Sequence, residues 1–73
     1  MKYNIIVFKS KTEVFRFIEE MQDNGVNATA VGTPSHARIG CGISAKIEYR
    51  YLWLAKKIIS NGNYNSFYRI YTK

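Results

Sequence analysis

Ser10-Lys-Thr-Glu-Val-Phe-Arg-Phe-Ile-Glu-Glu-Met-Gln-Asp-Asn-Gly25 is the part of this 73-residue sequence that best indicates the fold. Its apolar residues recur at the spacing i, i+3, i+4 and i+7, which predicts a helix with one buried stripe. The stripe consists of Val14, Phe17, Ile18 and Met21. Ser10 or Thr12 can cap the start of this helix, and Ser10 with Glu13 also fits a capping box. Asn24-Gly25 can end it in the left-handed conformation.

Four further segments are predicted to be β-strands because they are short, apolar and rich in β-branched or aromatic residues. They are Tyr3–Phe8, Val26–Gly32, Gly42–Glu48 and Phe67–Tyr71. The first is apolar throughout, which is typical of a central strand. The second contains Ala28 and Ala30, whose small side chains pack poorly by themselves, so we expect it at an edge of the sheet.

Alternation within the third of these segments predicts a strand with one buried face. Ile43, Ala45 and Ile47 point to that face, and Ser44 and Lys46 point to the other, polar face.

Tyr49–Asn61 is predicted to be a second helix, which Asn61-Gly62-Asn63 ends. Its apolar residues cover more than one stripe, and Trp53 lies beside them. They are Tyr51, Leu52, Leu54, Ala55, Ile58 and Ile59. The surplus apolar surface indicates a second contact beyond the core of the domain.

The predicted order β-α-β-β-α-β, without a linker or a low-complexity tract, indicates a single domain over residues 1–73. This order favours an α+β, ferredoxin-like sandwich, in which a four-stranded antiparallel sheet carries two helices on one face. Strands one and three are central in this arrangement. The end of the first strand, the start of the first helix and the connection between strands two and three then share one edge of the molecule.

The composition restricts the classes of function. The chain has 11 Lys and Arg against 5 Asp and Glu, a net charge of +6. This charge is compatible with a nucleic acid, an acidic protein or an anionic surface as partner. A single cysteine excludes an internal disulfide. No run of about 20 apolar residues is present, so we expect no membrane contact and a soluble, cytoplasmic protein with a reduced thiol.

Pro34-Ser-His-Ala-Arg-Ile-Gly-Cys-Gly-Ile-Ser44 contains the only proline, cysteine and histidine of the chain. The thiolate is the reactive form of cysteine, and helix N-termini or nearby cations lower a thiol pKa from about 8.5 to between about 3.5 and 7.5. Glycines on both sides of Cys41 allow backbone N–H groups and a bound group to approach the sulfur. The predicted thiol site comprises Cys41, Gly40, Gly42, Arg38, His36 and Ser44.

Other interpretations of Cys41 stand beside this one. A free cysteine is often a small, buried apolar residue, and Gly-x-Gly at the start of a strand is often only a turn or bulge. A catalytic pair with His36 lacks a nearby Asp or Asn that would orient the imidazole. One Cys and one His supply half of a tetrahedral site, so a metal would need a second chain. We therefore predict no catalytic residue, no metal and no cofactor.

Around these residues the chain resembles a family of small domains known as selenium/sulfur carrier-like. Members have a short apolar strand, an amphipathic helix that ends in Gly plus a β-branched residue, and a proline ahead of Cys-Gly. The corresponding residues here are Gly25-Val26, Pro34 and, after six intervening residues, Cys41-Gly42-Ile43-Ser44. The resemblance covers nearly the whole chain, and it implies that Cys41 carries sulfur or selenium.

Two features depart from the family pattern. Members often have serines just before the cysteine, where this chain has Ile39-Gly40. That change removes hydroxyl groups able to donate to a bound sulfur or selenium. Members are also often acidic after the proline, whereas His36 and Arg38 make this loop basic. That change alters the charge offered to a partner, so the resemblance leaves the partner open.

Two other functions fit the sequence. Ferredoxin-like sheets with exposed aromatic residues bind single-stranded RNA by stacking, although the third strand here has no aromatic pair on its polar face. The aromatic candidates are Phe8, Phe67, Tyr68 and Tyr71. The other function is a protein-interaction or dimerising module without thiol chemistry, which would use the sheet face or Trp53 and Leu54. We expect a protein partner or a homodimer more than a nucleic acid, and a carrier or binding module more than an enzyme.

Overall fold

Residues 2–34 and 42–72 are described by a computed structural model of the protein. The elements follow the predicted order β-α-β-β-α-β. They are β1 (Tyr3–Phe8), α1 (Lys11–Asp23), β2 (Thr29–Gly32), β3 (Ile43–Glu48), α2 (Leu52–Asn61) and β4 (Phe67–Thr72), with a 3-10 turn at Tyr49–Tyr51 directly before α2.

The strands form one antiparallel sheet in the order β2-β3-β1-β4. Ile6 pairs with Ala45 across the two central strands, and Gly32 pairs with Ile43 at the β2 side. Both helices contribute to one buried cluster on a single face of this sheet. The ferredoxin-like arrangement is confirmed, as are the central positions of β1 and β3 and the edge position of β2.

The core lies between the sheet and the helices. The apolar stripe of α1 is buried as predicted, because its four residues face the sheet. The partners of this stripe from the strands and from α2 are Ile6, Phe8, Ala45, Ile47, Ala55 and Ile58.

The second strand begins at Thr29, three residues after the predicted start at Val26. The N–H of Val26 donates to the carbonyl oxygen of Met21 at 3.0 Å. The side chain of Gln22 donates to the carbonyl oxygen of Ala28 at 3.1 Å. The last turn of α1 therefore holds this connection, and Val26 and Ala28 are buried in the core without pairing in the sheet. The predicted start is wrong because an apolar alternation also suits a connection that packs under a helix.

Helix α2 ends at Gly62, where there is no room for a side chain, although the backbone conformation suits any residue. Gly62 caps the helix with an ordinary φ of −101°, and Asn63 follows in the left-handed region with a φ of 55°. A Cβ on Gly62 would lie 2.6 Å from Cε2 of Tyr64 and 2.8 Å from the carbonyl oxygen of Ile58. Both distances are too short, so an added methyl group must displace a buried ring or the helix backbone.

We expect Gly62→Ala to lower the free energy of unfolding by about 1–3 kcal/mol, because the methyl group overpacks against Tyr64. Urea denaturation measures this change. Gly32→Ala is the matched control, since no described atom lies within 4 Å of the Cβ position there. It should change the free energy by no more than about 0.5 kcal/mol. Equal losses in the two variants would contradict the overpacking at Gly62.

Candidate functional site

The structure describes two residues of the predicted thiol site, Gly42 and Ser44. Cys41, Gly40, Arg38 and His36 lie outside the described residues, and their roles stay predictions. The setting of the site is therefore built from the residues that precede and follow positions 35–41.

Hydrogen bonds join the two ends of this segment where β2 ends and β3 begins. The N–H of Thr33 donates to the carbonyl oxygen of Gly42 at 3.0 Å, which extends the ladder beyond the Gly32–Ile43 pair. The hydroxyl oxygens of Thr33 and Ser44 are 2.8 Å apart and share a hydrogen bond. Both chain ends are thus fixed to the sheet beside the predicted position of the thiol.

Gly42, directly after the cysteine, has a left-handed φ of +84°. L-residues with a side chain adopt this conformation at a cost of about 1–2 kcal/mol, whereas glycine does not incur it. Gly42 is exposed, and no described atom lies within 4 Å of its Cβ position. The glycine therefore serves the backbone turn, and no described side chain fills the space on its Cβ side.

Ser44 lies on the predicted polar face of β3 but is fully buried, with 0% of its surface exposed. On the same face of the sheet, Ile5 and Val7 of β1 are also buried, at 5% and 0% exposure, outside the helix-side cluster. The prediction of a strand with only one buried face is therefore wrong. A buried hydroxyl needs a partner, and the hydroxyl of Thr33 supplies it.

We expect Thr33→Val to lower the free energy of unfolding by about 1–3 kcal/mol, because it leaves the buried Ser44 hydroxyl without its partner. Valine keeps the branched shape of threonine, so packing changes little. The double variant Thr33→Val/Ser44→Ala should lose less than the sum of the two single variants, and a double-mutant cycle from urea denaturation measures the difference. Additive losses would contradict a direct hydroxyl pair.

The start of α1 lies at the same end of the central strands as Gly42, because β1 ends beside the start of β3. The Ser10 hydroxyl caps the helix and accepts from the Glu13 N–H at 3.4 Å. The carboxylate of Glu13 accepts from the N–H and the hydroxyl of Ser66, at 3.0 and 2.8 Å. The N–H of Ser10 donates to the Ser66 hydroxyl at 3.2 Å. In the predicted capping box, the Glu13 carboxylate would accept from the Ser10 N–H. Here the hydroxyl of Ser66, just before β4, accepts from that N–H instead.

The charge of Glu13 bears on the predicted activation of the thiol. Burial raises the pKa of Glu13, but the hydrogen bonds from Ser66 and the charge of Arg16 outweigh it and hold the pKa below its usual value. An ionised carboxylate therefore lies at the positive end of the α1 dipole. Its full negative charge opposes the stabilisation that this helix start would give to a thiolate at Cys41.

A titratable cluster in the connection between α2 and β4 was not predicted from the sequence. The hydroxyl of the buried Tyr64 donates to the carboxylate of Glu20. The guanidinium carbon of Arg16 lies 4.1 Å from the centre of the Tyr64 ring, and the same group donates to the carbonyl oxygens of Gly62 and Asn63. These contacts hold the connection against α1. Arg16 and Glu20 are one helical turn apart, but no local pattern pairs them with a residue more than 40 positions away.

Tyr64 should make stability depend on alkaline pH. Burial and then the hydrogen bond to Glu20 raise the pKa of Tyr64 from 10.0 to about 12. A raised pKa means that the neutral phenol is favoured in the folded state. The stabilisation is therefore complete below pH 10 and is lost as the pH rises through about 12. We expect the difference in free energy of unfolding between wild type and Tyr64→Phe to shrink across this range.

Denaturation at a series of pH values measures this difference, and tyrosinate absorbance follows ionisation directly. Tyr64→Phe should remove the last phase of the absorbance titration. Tyr49→Phe, which removes a half-exposed tyrosine, should leave that phase in place. A stability difference that stays constant from pH 10 to 12 would contradict the raised pKa.

A shallow pocket of about 240 Å³ lies next to Pro34, on the sheet face away from the helices. Its lining residues are Tyr3, Ile5, Val31, Gly32, Pro34 and Lys46. The Lys46 ammonium lies 4.1 Å from the centre of the Tyr3 ring. An apolar floor with one cation at its side suits a small group that is partly apolar and carries negative charge.

The four aromatic candidates for RNA stacking do not share one face. Phe8 is fully buried, and its ring lies 5.9 Å from that of Phe67 on the helix side of the sheet. Tyr71 pairs with Ile5, on the opposite face. A stacking platform built from this set is therefore not formed.

Within residues 2–34 and 42–72, no group of three or more His, Cys, Asp or Glu side chains is placed to hold a metal ion. In the same part of the chain, neither helix has the length and apolar character needed to cross a membrane.

A family model described as "Putative Se/S carrier protein-like" matches residues 2–69. No curated protein and no solved structure matches the chain. Since the family model covers nearly the whole sequence, this chain belongs to that family, and the resemblance noted from Pro34 and Cys41-Gly42 is confirmed. The matched range includes the predicted thiol site and the first three of the six residues of β4.

Proposed function

We propose that this protein is a carrier that holds sulfur or selenium on Cys41 and delivers it to a partner protein. The observation that supports this most is the family match over residues 2–69, which includes Cys41. Cys41 is the only cysteine of the chain, so it is the only side chain able to hold such a cargo as a persulfide or selenosulfide.

The described surroundings are compatible with this role. Gly42, directly after the cysteine, adopts a conformation that glycine tolerates, and no described atom lies within 4 Å of its Cβ position. The Thr33–Gly42 and Thr33–Ser44 hydrogen bonds fix the ends of the segment that contains Arg38 and His36. A cation close to the sulfur would favour the thiolate and offset the charge of Glu13.

The transfer needs no net oxidation or reduction. The Cys41 thiolate attacks the terminal sulfur of a donor persulfide, a new S–S bond forms on Cys41, and the donor S–S bond breaks to release the donor thiolate. With a donor selenosulfide, an S–Se bond forms and another breaks in the same way. Delivery is the same exchange with the partner as attacking group. This chemistry fits a reducing compartment such as the cytoplasm, where the thiol stays free.

We expect the wild-type protein to gain the mass of one sulfur or selenium atom after exposure to glutathione persulfide or glutathione selenosulfide. Cys41→Ser should gain nothing, because no other thiol is present. The thiol pKa, from the pH dependence of the alkylation rate, should lie below the free value of about 8.5. Arg38→Ala should raise it if this cation faces the sulfur.

The alternative is an interaction module without thiol chemistry, and one specific observation favours it: Trp53 is 64% exposed. A thiol that reacts only in the unfolded protein, or whose pKa is at or above the free value, would make Cys41 a packing residue. That result would contradict the carrier proposal and leave the interaction module. Sedimentation at high concentration tests whether such a module is a homodimer.

A further inference from the structure

One face of α2 exposes aromatic and basic side chains at helical spacing. The 3-10 turn before α2 contributes Tyr49 and Arg50, which lie four and three positions before Trp53. Helix α2 contributes Trp53 itself and then Lys56 and Lys57, three and four positions after it. All five are exposed, with Trp53 at 64% and Tyr49 at 49%. We call these five residues the α2 stripe.

The charge of the stripe is positive. Helix α2 contains no acidic residue. Glu48 pairs with Arg50 at 2.9 Å. The two lysines of α2 have no acidic residue of the same helix beside them, and Lys2 adds a further cation, with its ammonium 5.9 Å from the centre of the Tyr49 ring. An acidic surface is therefore the complementary partner.

The packing of the domain does not use this face. Ala55 and Ile58 are the buried residues of α2, and they lie on its other side, against the sheet. The indole of Trp53 is the largest apolar group left in solvent in the described residues. Covering it would remove more apolar surface from water than covering any other exposed side chain there.

We propose that the α2 stripe docks a protein surface that has acidic side chains around an apolar pocket, with Trp53 in that pocket. A central Trp with Arg and Tyr beside it is the composition of an interface hot spot, and lysines at the rim increase the rate of association. A convex helix face provides no flat platform on which RNA bases could stack. The stripe is independent of the carrier chemistry proposed for Cys41.

The stripe also begins at the end of the sheet opposite to the one that contains Gly42. Strand β3 runs from Ile43 at the Gly42 end to Glu48, a distance of about 17 Å, and the stripe begins directly after Glu48. Trp53, in the first turn of α2, therefore lies nearer the opposite end of the sheet. Docking and thiol chemistry can then be tested separately.

The test uses a fluorescein-labelled helical peptide of Glu and Leu as the acidic, apolar probe, with anisotropy as the readout at low salt. The wild-type protein should bind it, and the emission of the single Trp should shift to shorter wavelength. Trp53→Ala should bind about thirtyfold more weakly, the loss typical of a hot-spot residue. Lys56→Glu/Lys57→Glu should bind at least about tenfold more weakly.

Matched controls separate the stripe from general effects of charge and exposure. Lys9→Glu/Lys11→Glu reverses two exposed charges elsewhere, and Phe15→Ala removes an aromatic residue that is 48% exposed on α1. Both should bind the peptide within about twofold of wild type, and so should Cys41→Ser, which separates docking from carriage. Circular dichroism checks that each variant is folded.

Several results would overturn the docking proposal. One is the absence of peptide binding by the wild-type protein, and another is equal losses in stripe and control variants. Equal affinity for poly-L-glutamate would show that Trp53 occupies no apolar pocket. Tighter binding of single-stranded RNA or of phosphatidylglycerol vesicles through the same residues would assign the stripe to a different class of partner.

Discussion

The ring of Phe8 contacts three other aromatic rings, and each comes from a different part of the chain. Its centre lies 5.4 Å from that of Phe17 on α1, 5.3 Å from Tyr64 in the connection after α2, and 5.9 Å from Phe67 at the start of β4. Phe8 is the last residue of a central strand and is fully buried. Its contacts join the sheet, a helix and a connection at the edge where the thiol segment begins and ends.

Hydrogen bonds add to these contacts between aromatic rings. They involve Tyr64 itself and Ser66, the residue directly before Phe67. The phenol of Tyr64 reaches Glu20, and Ser66, just before β4, binds the carboxylate of Glu13. Both acidic residues belong to α1, so one helix positions the connection between α2 and β4 through charge as well as packing. The carboxylate of Glu13 also places a negative charge at the start of α1.

Local patterns were sufficient for most of the fold. Helix α1 was predictable from Val14, Phe17, Ile18 and Met21, because helical periodicity is a property of one short segment. The hydrogen-bond partner of the buried Ser44 was not predictable, because it is Thr33, eleven positions away. In the candidate site, the sequence indicated Cys41-Gly42 by its composition, and the structure added the left-handed turn of Gly42 and the ionised Glu13 at the start of α1.

The sequence by itself determined the order of the elements, the ferredoxin-like class, the family and the single cysteine, because periodicity, capping and motifs are read within a few neighbouring residues. Only the tertiary structure decided where β2 begins, which polar residues are buried, and that Tyr64 is held between Arg16 and Glu20. It also decided that Trp53 remains exposed beside lysines on one face of α2. Those features depend on contacts between distant parts of the chain, and no local pattern encodes which distant side chains will meet.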